Sequence, residues 1–466
     1  MPSSPTTTTT ASLLNLSAAR VVWRVALPAT ASFMLNTCFN LIDAFFVGKL
    51  GTDAMASLSS ASIFTWILYS IGSLGQVGGQ TLVSQALGAG DTRLAKRSIL
   101  AALALHLLVA LAVLLPLFFF HPAIFGAMDL TPEVARGAGD YLRPFLAGMF
   151  FYFPGMVAMA AFHAHGDTRT PALLLAAALG INAILDPIAI HGLGPIPGFG
   201  LWGAGVSTAI CKVFFSLGLL FILWRRGLID PNCWRLDAAM GRLIQKVAAI
   251  GLPIALNGAF FSGVYLALIR ILSSFGMVPV ATLGIVHRLE NLGWFACVGF
   301  GVAGAALAGQ LTGAARTEEA RRKIWQLTLW LSAILLGVSI LYLTLSAPMI
   351  AVFTEDPAVI AEGVRYLSVI AIFSILMGWE AMFEEALSAV GASKQAFFIA
   401  TPLTLLRIPV AWFFAMHLGH GIAAVWWTIA GSTALKGVGL ALCFTFGRWR
   451  QRQSIAAQMA MAEGVG

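Results

Sequence analysis

Long apolar stretches separated by short polar loops run through most of the chain. Each stretch is about as long as the roughly 20 apolar residues that a helix needs to cross a bilayer. The pattern therefore predicts twelve membrane-spanning helices in two sets of six. The first set lies at about 24–48, 56–87, 98–120, 141–165, 169–191 and 200–224, and the second at about 246–272, 281–311, 323–346, 362–390, 394–417 and 421–446.

The second set of stretches repeats the first at a constant shift, which we call the repeat register. In this register Pro28 returns as Pro253, and Gln85-x2-Gly88 returns as Gln310-x2-Gly313. A register held over this length indicates one folding unit used twice. Because six spans are an even number, both units enter the membrane from the same side. We therefore expect two parallel lobes related by a two-fold axis along the membrane normal, with a cleft between them.

The polarity of the chain divides it into five segments. We expect a disordered cytoplasmic tail (1–20), an N-lobe (21–224), a cytoplasmic linker (225–245), a C-lobe (246–446) and a cytoplasmic C-terminal tail (447–466). The threonine run at 6–10 has no apolar core behind it, so we expect a disordered tail there and not a signal peptide. Arginine and lysine gather after spans two, six and eight and in the C-terminal tail. This bias predicts cytoplasmic termini in a bacterial inner membrane.

Composition supports the membrane assignment and excludes other classes. Of the 466 residues, 59% are hydrophobic and only 10% are charged, against about 25% charged in a globular domain. The basic residues that give the net charge of +8 lie in short loops between spans, which is the usual arrangement that orients a membrane protein. We therefore expect no nucleic-acid partner. The five cysteines are scattered without a C-x-x-C motif and predict neither a disulfide framework nor a zinc site.

The two copies of the repeat differ at their buried polar positions. In register, Leu268, Arg407 and Ala411 of the second copy stand opposite Asp43, Asn182 and Asp186 of the first. Acids inside a membrane span are costly, so they are functional candidates. For Asp43 the structural alternative is a carboxylate near the helix end that pairs with Lys49.

The strongest local cluster lies in the fifth span. Asn182 and Asp186 are four residues apart and share one helix face. Pro187 has no N–H, so the carbonyl of Ala183 loses its helical partner. Such oxygens are hard ligands for a proton or a small cation, not for a soft metal. The alternative is that Pro187 begins the exit from the helix and Asp186 lies near the surface.

A pair of facing buried carboxyls has a specific chemical use. Burial and a second nearby carboxylate both favour the protonated form of an acid. If Asp43 and Asp186 face each other inside the N-lobe, the pair can therefore take up protons on one side of the membrane and release them on the other.

The C-lobe carries a different set of ionisable groups. Glu380 and Glu384 share a face of span ten, and His287 and Glu290 lie in span eight. One interpretation is that these four residues face the cleft and attract cationic substrates; the other is mutual neutralisation, for example of Glu384 by Arg407. No H-E-x-x-H pattern and no serine nucleophile motif is present, so we predict no catalytic residues and keep an intramembrane enzyme only as the non-transport alternative.

A set of motifs along the chain resembles the multidrug and toxic compound extrusion (MATE) family, in its prokaryotic branch. The motifs are Leu27-Pro28, Asp43-x4-Gly48-x2-Gly51, Gln85-x2-Gly88, Gly166-Asp167-Thr168, Asn182-x3-Asp186-Pro187 and Gly203-Ala204-Gly205-Val206-x-Thr208. The resemblance covers almost the whole chain after about residue 20. It implies an all-α membrane protein with a V-shaped cleft between two six-helix lobes, and export driven by a proton or sodium gradient.

The resemblance also implies roles for particular residues. Asp43 and Asp186 would be the coupling carboxylates, with Asn182, Thr208 and Tyr141 in the surrounding polar network. Pro28 would let the first helix bend, and Pro187 would bend the fifth. Span seven holds no carboxylate, unlike family branches with a cation site in the C-lobe.

These observations predict a monomeric antiporter that exports amphipathic, often cationic, drug-like compounds in exchange for protons. No cofactor beyond the ion gradient is expected. Three transport alternatives stay open: a sodium-coupled exporter, a lipid or lipid-linked saccharide flippase, and a passive channel. In the sodium alternative the ion would bind at Asp43, Asn182, Asp186 and Thr208.

Overall fold

Twelve long helices make up nearly all of the structure, a computed structural model that describes residues 13–126, 128, 130–233, 237–451, 454 and 457–458. All twelve are long and apolar enough to cross a membrane. They are α1 (Ala18–Gly48), α2 (Thr52–Gly88), α3 (Thr92–Gly126), α4 (Pro132–Ala164), α5 (Arg169–His191), α6 (Gly200–Arg225), α7 (Ala238–Ser273), α8 (Met277–Gly313), α9 (Thr317–Ala351), α10 (Pro357–Ala389), α11 (Ser393–His417) and α12 (Ile422–Gln451).

Short elements complete or interrupt these helices. A 3-10 turn (Leu13–Asn15) precedes α1, and an antiparallel hairpin of β1 (Gly192–Leu193) and β2 (Ile196–Pro197) joins α5 to α6. Another 3-10 turn (Pro231–Cys233) lies between the lobes, and α12 ends in the 3-10 turn Arg448–Gln451. Two of the helices contain π-helical turns, Val22–Ala26 in α1 and Phe413–His417 in α11.

The helices extend beyond the apolar stretches that predict them. The 37 residues of α2 span about 55 Å at 1.5 Å per residue, whereas the hydrocarbon core is about 30 Å thick. Polar caps set several helix starts outside the apolar stretches. The side chain of Thr131 accepts from the N–H of Val134 at the start of α4, and that of Asp237 accepts from the N–H of Met240 at the start of α7.

Two predicted boundaries are corrected by this helix extension. Residues 1–12 of the expected tail lie outside the described residues, but within residues 13–20 Leu13 is fully buried and α1 already begins at Ala18. The expected linker 225–245 likewise contains the start of α7. Met240 and Leu243 are buried there, so apolar packing continues the helix into a stretch that is polar on average.

The two lobes meet through contacts that the repeat duplicates. The amide of Gln85 donates to the carbonyl of Ala389 at 2.8 Å, and the amide of Gln310 donates to the carbonyl of Ala164 at 2.7 Å. In the repeat register the donor Gln85 corresponds to Gln310, and the acceptor Ala164 corresponds to Ala389. Gly88 packs on the backbone of Gln310 in the same reciprocal way, and Gly313 on that of Gln85. These pairs establish the predicted two-fold relation between parallel lobes.

A second pair of reciprocal contacts lies further along the same helices. Gly251 in α7 packs on the backbone of Leu74 in α2, and Gly299 in α8 packs on that of Ala26 in α1. All of the glycine contacts fall in the halves of α1, α2, α7 and α8 that adjoin the arginine- and lysine-rich loops, which we call the basic side. The lobes are therefore in contact at the basic side, which is the apex of the predicted V.

Each lobe also receives the first turns of a helix from the other. Leu13, Val21 and Val25 belong to the apolar core of the C-lobe, and Met240 and Val247 belong to the core of the N-lobe. The fold is all-α with two six-helix lobes, as the sequence predicts.

Candidate functional site

Asp43 of α1 and Asp186 of α5 meet inside the N-lobe. Only 4% of Asp43 and none of Asp186 is exposed. The amide nitrogen of Asn182 donates to both carboxyls, at 3.2 Å to Asp43 and 2.9 Å to Asp186. The two acids therefore share one hydrogen-bond donor. From the sequence their proximity was an assumption, and in the structure they are adjacent.

The geometry of α5 excludes the alternative in which Asp186 lies near the surface. The helix continues past Pro187 to His191, so Asp186 is one turn inside it. The four-residue spacing then places Asn182 and Asp186 on the same face, toward α1 and α6.

Asp43 likewise does not pair with Lys49. The ammonium group of Lys49 lies over the Phe45 ring, 4.4 Å from its centroid. Asp43 instead accepts a hydrogen bond from α6, where the hydroxyl of Thr208 donates to it at 2.9 Å.

Adjacent hydroxyls on α6 hold one acid each. Next to Thr208, the hydroxyl of Ser207 donates to Asp186. After these bonds are made, two buried oxygens are still without a hydrogen-bond partner among the described residues, Oδ1 of Asn182 and Oδ2 of Asp186. Unpartnered lone pairs beside two carboxyls fit a proton or a small hard cation.

Aromatic residues and a lysine line the same region of the N-lobe. Tyr141 of α4 is buried, within electrostatic range of both acids, and stacks on Phe145 with ring centroids 5.7 Å apart. Lys212 of α6 donates to the hydroxyl of Tyr69 at 2.7 Å and lies 4.3 Å from the ring centroid of Tyr152. Our sequence reasoning missed Lys212, Tyr69 and Ser207. A lysine in an apolar span, four residues after Thr208, was the available signal.

The bend motif of α1 is completed by a residue of the loop between α4 and α5. Pro28 follows the π-helical turn Val22–Ala26 and has no N–H to donate. The hydroxyl of Thr168 donates to the carbonyl of Val25 at 2.8 Å, and the carbonyl of Arg24 is 3.4 Å away. Thr168 therefore satisfies backbone acceptors next to the interrupted part of the helix.

Asp167 fixes the loop that carries Thr168. It accepts from the hydroxyl and N–H of Thr170 and from Arg226 at 2.6 Å. Burial alone would raise the pKa of Asp167, but hydrogen bonds from Thr170 and Arg226 outweigh burial and hold that pKa below its ordinary value.

The C-lobe residues that we predicted for the substrate cleft make their close contacts with different partners. Glu380 of α10 makes an ion pair with Lys436 of α12, and Glu384 accepts from the amide of Asn257 at 2.8 Å. On α8, His287 lies 3.7 Å from Glu290. Glu290 of α8 and Glu380 of α10 interact over a longer distance, so the two pairs lie in the same region of the C-lobe.

The alternative interpretation, mutual neutralisation, applies to Glu380 and Lys436 and not to its example, Glu384 with Arg407. Arg407 donates to Ser432 at 2.6 Å and to Thr433 at 2.8 Å instead, and Lys436 of α12 supplies the positive charge that pairs with Glu380 of α10. Within the described part of the chain, no group of three or more His, Cys, Asp or Glu side chains is arranged to hold a metal ion.

Two repeated six-helix lobes, with buried ionisable groups inside each, define an integral membrane transport protein. The chain belongs to the MATE family, because the MatE family model matches residues 28–188 and 253–413. In the repeat register, residues 28 and 188 correspond to residues 253 and 413, so the two matches cover equivalent parts of the two lobes.

Similar proteins span the whole architecture. The chain is 26% identical over 443 residues to a probable multidrug resistance protein NorM of Thermotoga maritima, with 92% of each chain covered. It is 27% identical over 407 residues to an FAD transporter of Shewanella oneidensis, covering 86% of this chain and 88% of the relative. A solved MOP superfamily transporter from Pyrococcus furiosus has the same fold, with a TM-score of 0.87 at 20% identity, covering 97% of this chain and 99% of the other.

Proposed function

We propose that this protein is a proton-coupled multidrug exporter. It moves amphipathic, often cationic, organic compounds out of the cell in exchange for protons that bind at Asp43 and Asp186. Relatives across the full length are named as multidrug proteins, including NorM of Thermotoga maritima and the multidrug export protein MepA of Staphylococcus aureus. Their names support the substrate class.

The single observation that carries the coupling proposal is the shared amide between two buried acids. Two adjacent carboxylates in an apolar surrounding repel one another, and a proton bound to either one relieves that repulsion. Asn182 donates to both and Thr208 and Ser207 to one each, so the site stays hydrogen-bonded whichever acid holds the proton.

Proton binding has to be connected to movement of the lobes for export to be driven. Asp43 lies on α1, and Asp186 on α5. A change in charge at this pair changes the attraction between α1 and its neighbours in the N-lobe. Because the first turns of α1 pack in the core of the C-lobe, a shift of α1 is transmitted to the interface between the lobes. Opening at the basic side while the other side closes gives alternating access.

The remaining roles follow from orientation and charge. With the basic side in the cytoplasm, both termini are cytoplasmic and the cleft opens outward in this conformation. The protein works as a monomer in the bilayer. Glu290, Glu380, Glu384 and His287 supply the negative or titratable lining that favours cationic substrates, with Glu380 partly neutralised by Lys436.

The test is uphill export from proteoliposomes by Asp43→Asn, Asp186→Asn and the double variant. A fluorescent cationic dye is followed under an imposed pH gradient, with and without sodium. We expect Asp186→Asn to abolish accumulation against the gradient while size-exclusion behaviour stays that of the unmodified protein. Asp140→Asn is the matched control, because Asp140 is an exposed acid of the same lobe.

Each alternative has its own outcome in this assay. Full activity in both single variants contradicts the N-lobe mechanism. Dependence on sodium without dependence on protons keeps the site and replaces the ion. Dye movement that never exceeds equilibration, with or without a gradient, identifies a passive channel.

A further inference from the structure

The position of the N-lobe acid site is occupied in the C-lobe by a polar site of opposite charge. Ser207 and Thr208, which hold the two acids, return in the repeat register as Ser432 and Thr433. Ser432 and Thr433 accept hydrogen bonds from Arg407, which stands where the N-lobe has Asn182. The same hydroxyl pair on the last helix of each lobe therefore binds carboxylates in one lobe and a guanidinium in the other.

The guanidinium of Arg407 is buried with an incomplete set of partners. Only 1% of the residue is exposed. Its Nε donates to Ser432, and Nη2 donates to Thr433 and, at 3.5 Å, to the carbonyl of Ile429. Nη1 has no hydrogen-bond partner among the described residues. A buried cation with an unused donor is costly, so the site fits a ligand that supplies an acceptor.

No carboxylate neutralises this charge at close range. Glu290 interacts with Arg407 only over a longer distance, and within the described residues neither Glu290 nor Glu380 makes an ion pair with it. Glu380 is already paired with Lys436. The ring centroids of Phe261 and Tyr265 lie 5.7 and 5.9 Å from the guanidinium. The hydroxyl of Tyr265 is also close enough to interact with it, and neither ring cancels its charge.

A groove beside Arg407 has the size and lining for an amphipathic molecule. It lies between α11 and α12 and has a volume of about 610 Å³. The α-helical ladder of α11 is interrupted at Leu406, immediately before the arginine. Arg407 and Ser432 are polar positions in the wall, and the apolar wall includes Leu406, Phe414, Trp427 and Leu435.

We propose that this groove binds the carboxylate of an exported amphipathic organic acid, with Arg407 as the anion-binding residue. A guanidinium matches a carboxylate in charge and in planar geometry. The apolar wall accepts the hydrocarbon or aromatic body of the same molecule. This inference rests on the proposed export function and adds anionic or zwitterionic substrates to its range.

Binding is tested with dansyl-labelled undecanoic acid and its methyl ester, which differ only in the charged group. Both are titrated into the purified full-length protein in detergent, and the ratio of the two affinities is compared between variants so that partition into micelles cancels. We expect the unmodified protein to bind the acid about tenfold more tightly than the ester, or more, since a hydrogen bond to a charged group contributes about 1.5–3 kcal/mol. A ratio near one in the unmodified protein overturns the proposal without any variant.

Substitutions test whether Arg407 causes the preference for the acid over the ester. Arg407→Gln should bring the ratio close to one, Arg407→Lys should keep part of it, and Arg270→Gln should leave it unchanged because Arg270 is an exposed arginine of the same lobe. An unchanged ratio in Arg407→Gln contradicts the assignment.

Transport separates a substrate from a resident membrane fatty acid. In proteoliposomes, Arg407→Gln should reduce export of the dansyl acid at least severalfold while export of a cationic dye is retained. Preferential binding of the acid without any export would identify a bound lipid and overturn the substrate assignment. Absence of cationic dye export by the unmodified protein would instead refute the proposed function itself.

Discussion

Reciprocal glycine contacts between the lobes give the most direct prediction about conformational change. Gly88 of α2 lies on the backbone of Gln310, and Gly313 of α8 lies on the backbone of Gln85. We predict that Gly88→Ala and Gly313→Ala each shift the protein toward a state in which the basic side is open. Because the repeat duplicates the contact, the two substitutions should have similar effects.

The size of the shift follows from the distances. A methyl group at Gly88 would meet the carbonyl oxygen of Gln310 first, and would lie 2.7 Å from the carbonyl carbon and 2.8 Å from the Cα of that residue. At Gly313 it would meet the carbonyl oxygen of Gln85 in the same way, with the same two carbon distances of 2.7 and 2.8 Å. Carbon atoms at rest are about 3.5–4.0 Å apart. The groups that obstruct the methyl are backbone, so no side-chain rotation relieves the contact, and the helices have to separate by about 0.8 Å or more.

Overpacking of this kind typically costs about 1–3 kcal/mol. The cost applies only while the basic side is closed, so it enters the equilibrium between the two conformations in full. A difference of that size changes a two-state equilibrium by roughly 5- to 150-fold. A conformation that is minor in the unmodified protein should therefore become readily measurable.

The assay is the distance between two spin labels at the side opposite the basic side. Glu133 and Glu355 lie in that region, one in each lobe, and both are exposed. Labels on Glu133→Cys and Glu355→Cys, in a background whose native cysteines are replaced, should be far apart while the basic side is closed. Either alanine substitution should add a population at shorter distance.

Gly284→Ala is the matched control, because Gly284 is a helical glycine of α8 with no atom within 4 Å of an added methyl. It should leave the distance distribution unchanged. If Gly88→Ala and Gly313→Ala give the same distribution as Gly284→Ala, the glycine contacts do not hold the basic side closed. A large effect from only one of them would contradict the functional equivalence of the two contacts.

Three further predictions concern single contacts. Lys436→Met should lower the free energy of unfolding by about 3–5 kcal/mol, because it leaves the mostly buried Glu380 without its partner. The double variant with Glu380→Met should recover most of this loss. Thermal unfolding in detergent measures the stability of both variants. Thr168→Ala should cost about 1–3 kcal/mol by the same measurement, because it removes the hydroxyl donor to the buried carbonyl of Val25, whereas Thr168→Ser should be nearly neutral. The pKa of Asp167 is held below its ordinary value in the folded protein, so the contribution of this carboxylate to stability is present above about pH 4 and is lost as the pH falls through the lowered pKa. Asp167→Asn should therefore lower the melting temperature at pH 7, and the difference from the unmodified protein should shrink in acid. An equal difference at every pH would contradict this assignment.

The repeat made the fold and the first half of the site predictable. A constant shift between the two copies fixes two lobes, their parallel orientation and the equivalence of Gln85 with Gln310. The four-residue spacing of Asn182 and Asp186 places them on one face of a helix whatever surrounds them. These inferences succeed because they depend on covalent spacing and on the burial of apolar residues in lipid.

Partners across helices could not be predicted in the same way. Lys436 and Arg407 are both cations in apolar spans of the C-lobe, and only the packing of α10 against α12 decides that Lys436 meets Glu380. The start of α1 was also misplaced, because residues 13–20 are ordered by contact with the other lobe. Local composition contains no information about such a contact.

The inverted polarity of the two equivalent sites, one in each lobe, restricts which of these sites can carry protons. A guanidinium stays protonated throughout the physiological range, so Arg407 cannot exchange a proton during a transport cycle. The carboxyls of Asp43 and Asp186 can do so, and they occupy the matching place in the other lobe. In the proposed proton-coupled cycle, the charge of the N-lobe site would change while that of Arg407 would stay constant. A coupling site and a fixed anion-binding site can then be built from the same serine and threonine hydroxyls. The choice between them depends on the three register positions that hold Asp43, Asn182 and Asp186 in one lobe and Leu268, Arg407 and Ala411 in the other.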